Sequence, residues 1–344
     1  MEIDVGMDAV GLTYPVETQI AVHAARLGYG RIWTGSIGDP FQTCALRWAE
    51  TREVVPGGIG TAIGVIPVGL RSPADLALSA AALSRTSGGR FILGIGAGST
   101  YESAYRTTWG IQERSSLSIT RAYLTTVRGF LAGEAVTHHG EGINYDNARL
   151  PAQAATTPLY LGVVGPEMAR LGGELADGVY LSWCTPENVD WVRTRISEGA
   201  EQAGRDPSEV KLAASVRICV DEDTDVARRA LAGALLPYVL GWSGSPPGPF
   251  RANFERMGFA PEMREIDRLR ERELPRQQII EAFPERMLRA LGYFGPAGGA
   301  ANALQRHVGA ADLAVVRIVP SRPGVDPYLA VLDASRPVGR RQTA

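Results

Sequence analysis

Eight short apolar segments, each separated from the next by a stretch with helical spacing, restrict this chain to few folds. They are Ile3–Met7, Arg31–Thr34, Ile59–Ile66, Phe91–Ile95, Leu159–Val163, Gly178–Leu181, Lys211–Val220 and Leu313–Val319. Two of them, FILGI (91–95) and LAVVRIV (313–319), are apolar on both faces. Such strands belong in a parallel sheet covered by helices rather than in a sheet with one wet face. The intervening helices are legible too. Ile20, Ala24 and Leu27 share one face of Val16–Leu27, and Leu117, Leu124, Val127 and Leu131 share one face of Ser115–Leu131. Ser72 followed by Pro73 is a helix start, with a capping hydroxyl and then proline at the first helical position. Eight strands favour a closed (β/α)8 barrel over an open doubly wound sheet. The expected organisation is a single domain over residues 1–344, with an insertion at about 237–290 whose Pro, Gly and charge predict short helices.

Composition narrows the function classes. Lys+Arg 35 against Asp+Glu 37 gives a net charge of -2, so no global field recruits nucleic acid or a membrane surface. No window approaches the roughly 20 apolar residues of a membrane span. The first residues carry acids where a secretory signal needs a basic region, so a cytoplasmic protein is expected. Cys44, Cys184 and Cys219 are widely spaced with no histidine cluster beside them, which predicts neither a disulfide framework nor a metal site. His138 and His139 lie in a polar, Gly-containing stretch that reads as a β-hairpin. Neighbours on a strand point to opposite faces, so the pair cannot easily chelate one ion. His23 falls within a helical pattern and reads as structural. No HExxH, Walker or Ser-His-Asp pattern points to hydrolysis or phosphoryl transfer.

Three glycine-containing strand ends carry the chemistry. Gly94-Ile95-Gly96-Ala97-Gly98 follows a strand but is GxGxG, with no helix start after it and no acid closing a βαβ unit, so a nicotinamide fingerprint is disfavoured. Either a crowded strand end or a close approach of backbone to a planar cofactor explains it. The run Gly162, Val163, Val164, Gly165, Pro166, Glu167, Met168 puts small residues and a proline at a helix start. It reads equally as an anion cradle or as an ordinary βα loop. Gly64-Val65-Ile66-Pro67 marks a bulge or a plain strand end.

Taken together, GYGRIW, GVIPVGLRSP, GRFILGIGAGS, PLYLGVVGPEMARLGGELADGVYLSW and AFPERMLRALGYFGPAG resemble, in order, the bacterial luciferase-like superfamily. Within it they resemble the deazaflavin (coenzyme F420)-dependent reductases of the methylenetetrahydromethanopterin reductase type. The resemblance implies a TIM barrel, a homodimer, and a non-prolyl cis peptide at Gly64-Val65 whose bulge backs the deazaflavin ring. It places Gly96, Ala97, Gly98 and Ser99 beside the ring and ribityl chain, and the phosphate at Gly162–Met168 with Ser182 and Trp183 nearby. After the second strand, where relatives carry an acid often followed by His, this chain has Thr34, Gly35 and Ser36, and the acid is delayed to Asp39. The acid frequent after the glycine run is Ser99 here.

The function implied is hydride transfer from reduced F420 to a C=C or C=N bond of a small-molecule or peptide-derived substrate, as in reductive tailoring of a natural product. Ser36, Asp39, Tyr101 and Glu102 are the candidate proton donors, with Thr34 and Gly35 at the cofactor. An FMN-dependent monooxygenase of the same superfamily is the alternative, and a non-catalytic binding barrel a second.

Overall fold

Parallel pairing runs without a break around a ring. The computed structural model describes residues 1–7, 12–35, 38–98, 103–151, 156–241 and 248–337. In chain order the first half comprises β1 (Glu2–Met7), α1 (Tyr14–Arg26), β2 (Arg31–Thr34), α2 (Pro40–Thr51), β3 (Gly60–Pro67), α3 (Pro73–Thr86) and β4 (Phe91–Gly96). Helices α4 (Ser103–Trp109) and α5 (Ser116–Leu131) then precede a hairpin of β5 (Val136–Gly140) and β6 (Ile143–Ala148). The ring resumes with β7 (Leu159–Val163), α6 (Pro166–Leu175), β8 (Gly178–Ser182), α7 (Pro186–Gln202), β9 (Lys211–Val220) and α8 (Thr224–Leu240). Short helices α9 (Pro249–Phe254), α10 (Ala260–Glu271), α11 (Arg276–Glu281) and α12 (Glu285–Leu291) lead to β10 (Gly292–Gly295), α13 (Ala300–His307), β11 (Leu313–Ile318) and α14 (Asp326–Ala334). The order β1-β2-β3-β4-β7-β8-β9-β11 closes through β11 onto β1, giving the eight-stranded (β/α)8 barrel expected from the strand count.

The eight barrel strands coincide with the eight apolar segments to within one residue at either end. Three elements were not expected. Strand β10 is only four residues long and pairs with the upper half of β9 beyond the end of β8, so it extends the sheet without joining the ring. Helix α14 follows the last barrel strand and packs against α1. Helix α4 lies in the segment between β4 and α5. Helix α8 also runs on to Leu240 through Pro237; the Gly233 carbonyl, which loses the N–H of that position, accepts instead from Arg276 at 3.2 Å. The late insertion is helical as expected. Its Phe254, Phe259, Met263 and Leu288 share an apolar cluster with Leu231 and Leu235 of α8, Cys219 of β9 and Phe294 of β10.

The period-2 alternation of strands decides what points inward. Val216, Ile218, Val316 and Ile318 pack outward under the helices, so Arg217 and Arg317 face the interior. Trp33, Ala62, Ile92, Tyr160, Tyr180, Ala213, Leu313 and Val315 form an apolar plug inside the ring. Trp33 stacks on Tyr180 with centroids 5.0 Å apart, and its indole N–H donates to Asp4 Oδ2 at 2.7 Å. Burial pushes the Asp4 carboxyl up to about 7 even though Arg31 stands beside it. Above this plug the inward positions are mostly glycine, and the barrel mouth is therefore open.

In the hairpin, His138 lies opposite Tyr145 and His139 opposite Asn144. Among the described residues no group of His, Cys, Asp or Glu could hold a metal ion, and no helix is long and apolar enough to cross a membrane. The three cysteines are buried and unbridged, and burial pushes the Cys44, Cys184 and Cys219 thiols up to about 12.

Candidate active site at the barrel mouth

A cavity of ≈ 550 Å³ opens at the C-terminal ends of the strands, the end where barrel enzymes carry their chemistry. Its back wall is the end of β3. The Gly64–Val65 peptide is cis, and the pairing of β3 with β4 shifts register between Ile63 and Ile66. Strand β4 is moulded around this bulge. A Cβ at Gly94 would meet the Ile63 carbonyl oxygen at 2.1 Å, one at Gly96 would meet Val65 Cγ2 at 2.9 Å, and one at Gly98 would meet Pro67 Cβ at 2.6 Å. Gly162 on β7 completes the mould, since its Cβ would lie 3.1 Å from both Val65 methyl carbons. The GxGxG run is thus a steric imprint of the β3 bulge. Gly64 itself rests on Trp33, 2.8 Å from where its Cβ would be.

A second wall is the turn from β7 into α6. Gly165 caps the helix without a side chain to offer, and Pro166 at its first position has no N–H. Ala169 N–H is already bonded to the Gly165 carbonyl, which leaves the amides of Glu167 and Met168 for an anion at the cavity edge. The helix is held in place by backbone contact with α7. A Cβ at Gly173 would meet the Ile196 carbonyl oxygen at 2.0 Å, and one at Gly199 the Arg170 carbonyl oxygen at 1.9 Å. The insertion also pins the turn, because Arg256 donates to the Val164 carbonyl at 3.3 Å. Glu167, at the cavity edge, is ion-paired with Arg170.

The remaining wall comprises Tyr180, Ser182, Arg217 and Arg317 from β8, β9 and β11, with Tyr238 and Phe250 from the insertion and Ser116 and Leu117 from α5. Arg217 donates to Ser182 Oγ at 2.6 Å, and its guanidinium carbon lies 3.8 Å from the centroid of the Trp183 ring. Trp183 takes a left-handed backbone, φ 54°, as the chain turns off β8, and this aims its ring beneath Arg217.

Of the cofactor positions expected from the sequence, Gly64, Val65, Gly96, Ala97, Gly98, Gly162, Val163, Val164, Gly165, Pro166, Glu167, Met168 and Ser182 all line this one cavity. Thr34, Gly35 and Trp183 do not. Thr34 is buried, and Trp183 lies behind Arg217. Asp39 is also elsewhere: its carboxylate accepts from Phe41 N and Gln42 N as the N-cap of α2 and pairs with Arg71 at 2.5 Å. A delayed acid directly before a proline is a capping signal, and the fold uses it as one. Ser36, Ser99, Tyr101 and Glu102 lie outside the described residues. The sequence reading missed Arg217 and Arg317. Each is a single charge inside an apolar strand, SVRICV and AVVRIV, and that isolation was the available signal.

A family model described as luciferase-like monooxygenase matches residues 4–312. A 5,10-methylenetetrahydromethanopterin reductase of Methanolobus tindarius is 34% identical over 226 residues, 65% of this chain and 66% of that protein. An F420-dependent glucose-6-phosphate dehydrogenase of Nakamurella multipartita is 27% identical over 199 residues, 57% of this chain and 54% of that protein. The chain therefore spans just under two thirds of the first relative and about half of the second. Among solved structures, the coenzyme F420-dependent tetrahydromethanopterin reductase from Methanopyrus kandleri superposes with a TM-score of 0.76 at 21% identity, covering 98% of both chains.

Proposed function

The chain belongs to the luciferase-like monooxygenase family, and on that footing we propose that it is a coenzyme F420-dependent oxidoreductase acting on a C=C or C=N bond of an organic substrate. The observation that carries this reading is the pairing of a moulded bulge with a helix N-terminus across one cavity. A planar ring fits against Val65, because β4 and β7 present glycines there and leave the wall free of side chains. A phosphate fits the free amides of Glu167 and Met168. The F420-dependent reductase and dehydrogenase names among its relatives favour a deazaflavin over FMN.

Reduced F420, when bound, supplies a hydride to an electron-poor carbon. The protein's part is placement and exclusion of water. Val65 would back the ring, and Ala97 and Gly98 would lie beside the bound cofactor. Tyr180, Tyr238 and Phe250 supply apolar sides, which lowers the local dielectric around the reacting atoms. With Asp39 committed to α2, the proton donor falls to Ser36, Tyr101 or Glu102, which follow β2 and β4 in the chain. The conceivable substrates are small organic or peptide-derived molecules, as in a reductive tailoring step.

The test is transfer of deuterium from deuterated reduced F420 into a panel of enones and imines, read by mass spectrometry. Label carbon-bound in the product is the expected result. Oxygen-dependent turnover with FMN and no label transfer from F420 overturns the proposal in favour of a monooxygenase.

A further inference from the structure

We infer that Trp33 and Asp4, which lie beneath the cavity and not in its wall, are positioning residues for the cofactor ring; this rests on the reading of that cavity as the F420 site. Asp4 fixes the indole of Trp33, and the indole carries Gly64 and Tyr180 where the ring would pack. The segment GYGRIW contributes no residue to the cavity lining. Its Trp33 is fully buried inside the ring of strands, with Ala62 as its register partner on β3. Two residues on, Gly64 lies within the stretch where the register of β3 shifts. A Cβ at Gly64 would meet Trp33 Cε3 at 2.8 Å and Tyr180 Cζ at 3.3 Å. The two rings are stacked with centroids 5.0 Å apart and planes 25° apart, so Gly64 rests on both. Both Gly64 and Tyr180 line the cavity. The next residue, Val65, is held from the sides by Gly96 and Gly162 and from below by this two-ring platform.

Filling space does not require an indole there. A buried tryptophan brings an N–H that needs an acceptor, and this one donates to Asp4 Oδ2 at 2.7 Å. Asp4 is fully buried, and burying a carboxyl group is costly. Two further residues of GYGRIW accommodate it. Arg31 stands 3.5 Å from the same oxygen and 3.1 Å from Glu2. Gly30 leaves room for both acids, since its Cβ would meet Glu2 Oε1 at 2.5 Å and Asp4 Oδ1 at 2.7 Å. Such an arrangement around one hydrogen bond serves orientation. Rotation of an indole about its Cβ–Cγ bond has two broad preferences. The bond to Asp4 selects the one that turns Cε3 toward Gly64, because a flipped ring would strand its N–H in the core. The height of the bulge is thus set from β1 and β2 below it.

The test uses the purified chain and two probes. One is the deazaflavin nucleoside that lacks the phosphate and tail of F420, followed by its fluorescence; the other is inorganic phosphate, followed by calorimetry. Trp33→Phe removes the N–H and the outer ring of the indole, and Asp4→Leu removes the acceptor. Each is expected to weaken nucleoside binding at least tenfold and to leave phosphate binding within twofold, since neither residue lines the turn into α6. Asp4→Asn keeps an acceptor oxygen and should hold nucleoside affinity within threefold of wild type. Phe130→Leu, in the core outside the barrel against Tyr145, controls for lost packing and should retain both affinities. Either of the first two variants decides the matter if the other does not fold. Unchanged nucleoside affinity in a folded Trp33→Phe or Asp4→Leu overturns the inference. So does an equal loss of nucleoside and phosphate binding, or an Asp4→Asn as weak as Asp4→Leu. A wild type that binds neither F420 nor the nucleoside defeats the cofactor reading itself, and the inference with it.

Discussion

Gly94→Ala probes the mould directly. An alanine methyl there would sit 2.1 Å from the Ile63 carbonyl oxygen, against an ordinary carbon–oxygen contact of about 3.2 Å. The obstacle is backbone, so relief requires β3 and β4 to separate by about 1 Å at the point where their register shifts. Overpacking of this kind costs about 1–3 kcal/mol, and each ladder hydrogen bond lost alongside it about 1 kcal/mol. A total near 3–5 kcal/mol is expected, which for a chain of this length corresponds to a fall of roughly 5 °C or more in thermal midpoint. Gly96→Ala meets only a side-chain methyl, Val65 Cγ2 at 2.9 Å, and should cost less, about 1–2 kcal/mol. Both should weaken F420 binding, because both move Val65 or the strand behind it. The assays are circular dichroism melting and fluorescence titration. A Gly94→Ala chain with the wild-type midpoint and wild-type F420 affinity would refute the mould.

Gly165→Ala is the complementary case. Nothing lies within 4 Å of its Cβ position and its φ is negative, so stability should hold within about 0.5 kcal/mol while F420 affinity falls, as a calorimetric titration would register. Asp39→Ala should lower the thermal midpoint by the equivalent of about 1 kcal/mol through loss of the α2 cap, with turnover of reduced F420 within twofold; a loss of turnover beyond tenfold in the folded variant would return Asp39 to the chemistry. Asp4 predicts a pH effect. Its carboxyl is raised from 3.8 to about 7, so the folded state holds the proton more tightly than the unfolded one. Stability from this group is full below about pH 4 and is lost as pH rises through 7. The difference, about 3 pH units at ~1.4 kcal/mol each, caps the effect at roughly 4 kcal/mol. Asp4→Asn should flatten the dependence of the melting midpoint on pH between 5 and 8, and an unchanged slope would contradict the assignment.

The barrel was legible because strands such as β4 and β11 are apolar on both faces and helices begin with clear caps, such as Ser72, whose hydroxyl oxygen accepts from Asp75 N–H. Pattern was less informative about the late segment. Strand β10 is four residues bounded by glycine, and its pairing partner lies more than seventy residues away on β9, so no local period announces it. Much of the cavity wall was legible as glycine, but the reason for the glycines was not. Gly94, Gly96 and Gly98 answer to Ile63, Val65 and Pro67 on the neighbouring strand, a correspondence that only the register supplies. Asp39 shows the reverse case: proximity in sequence to the barrel mouth favoured a catalytic role, whereas its geometry is that of a cap. Arg217 and Arg317 were passed over because a charge inside a buried strand fits neither a core pattern nor a familiar motif. Their place in the cavity wall follows from the inward register of β9 and β11.

The central claim is that the cavity between Val65 and the α6 N-terminus is built for a deazaflavin. Its most direct measurement is a paired titration of the purified chain with oxidised F420 and with FMN, followed by fluorescence, in the wild type and in Gly165→Ala. Saturable F420 binding at least tenfold tighter than FMN, and weakened by Gly165→Ala, is the predicted result. Tight FMN binding with none for F420, or F420 binding indifferent to Gly165→Ala, would contradict it.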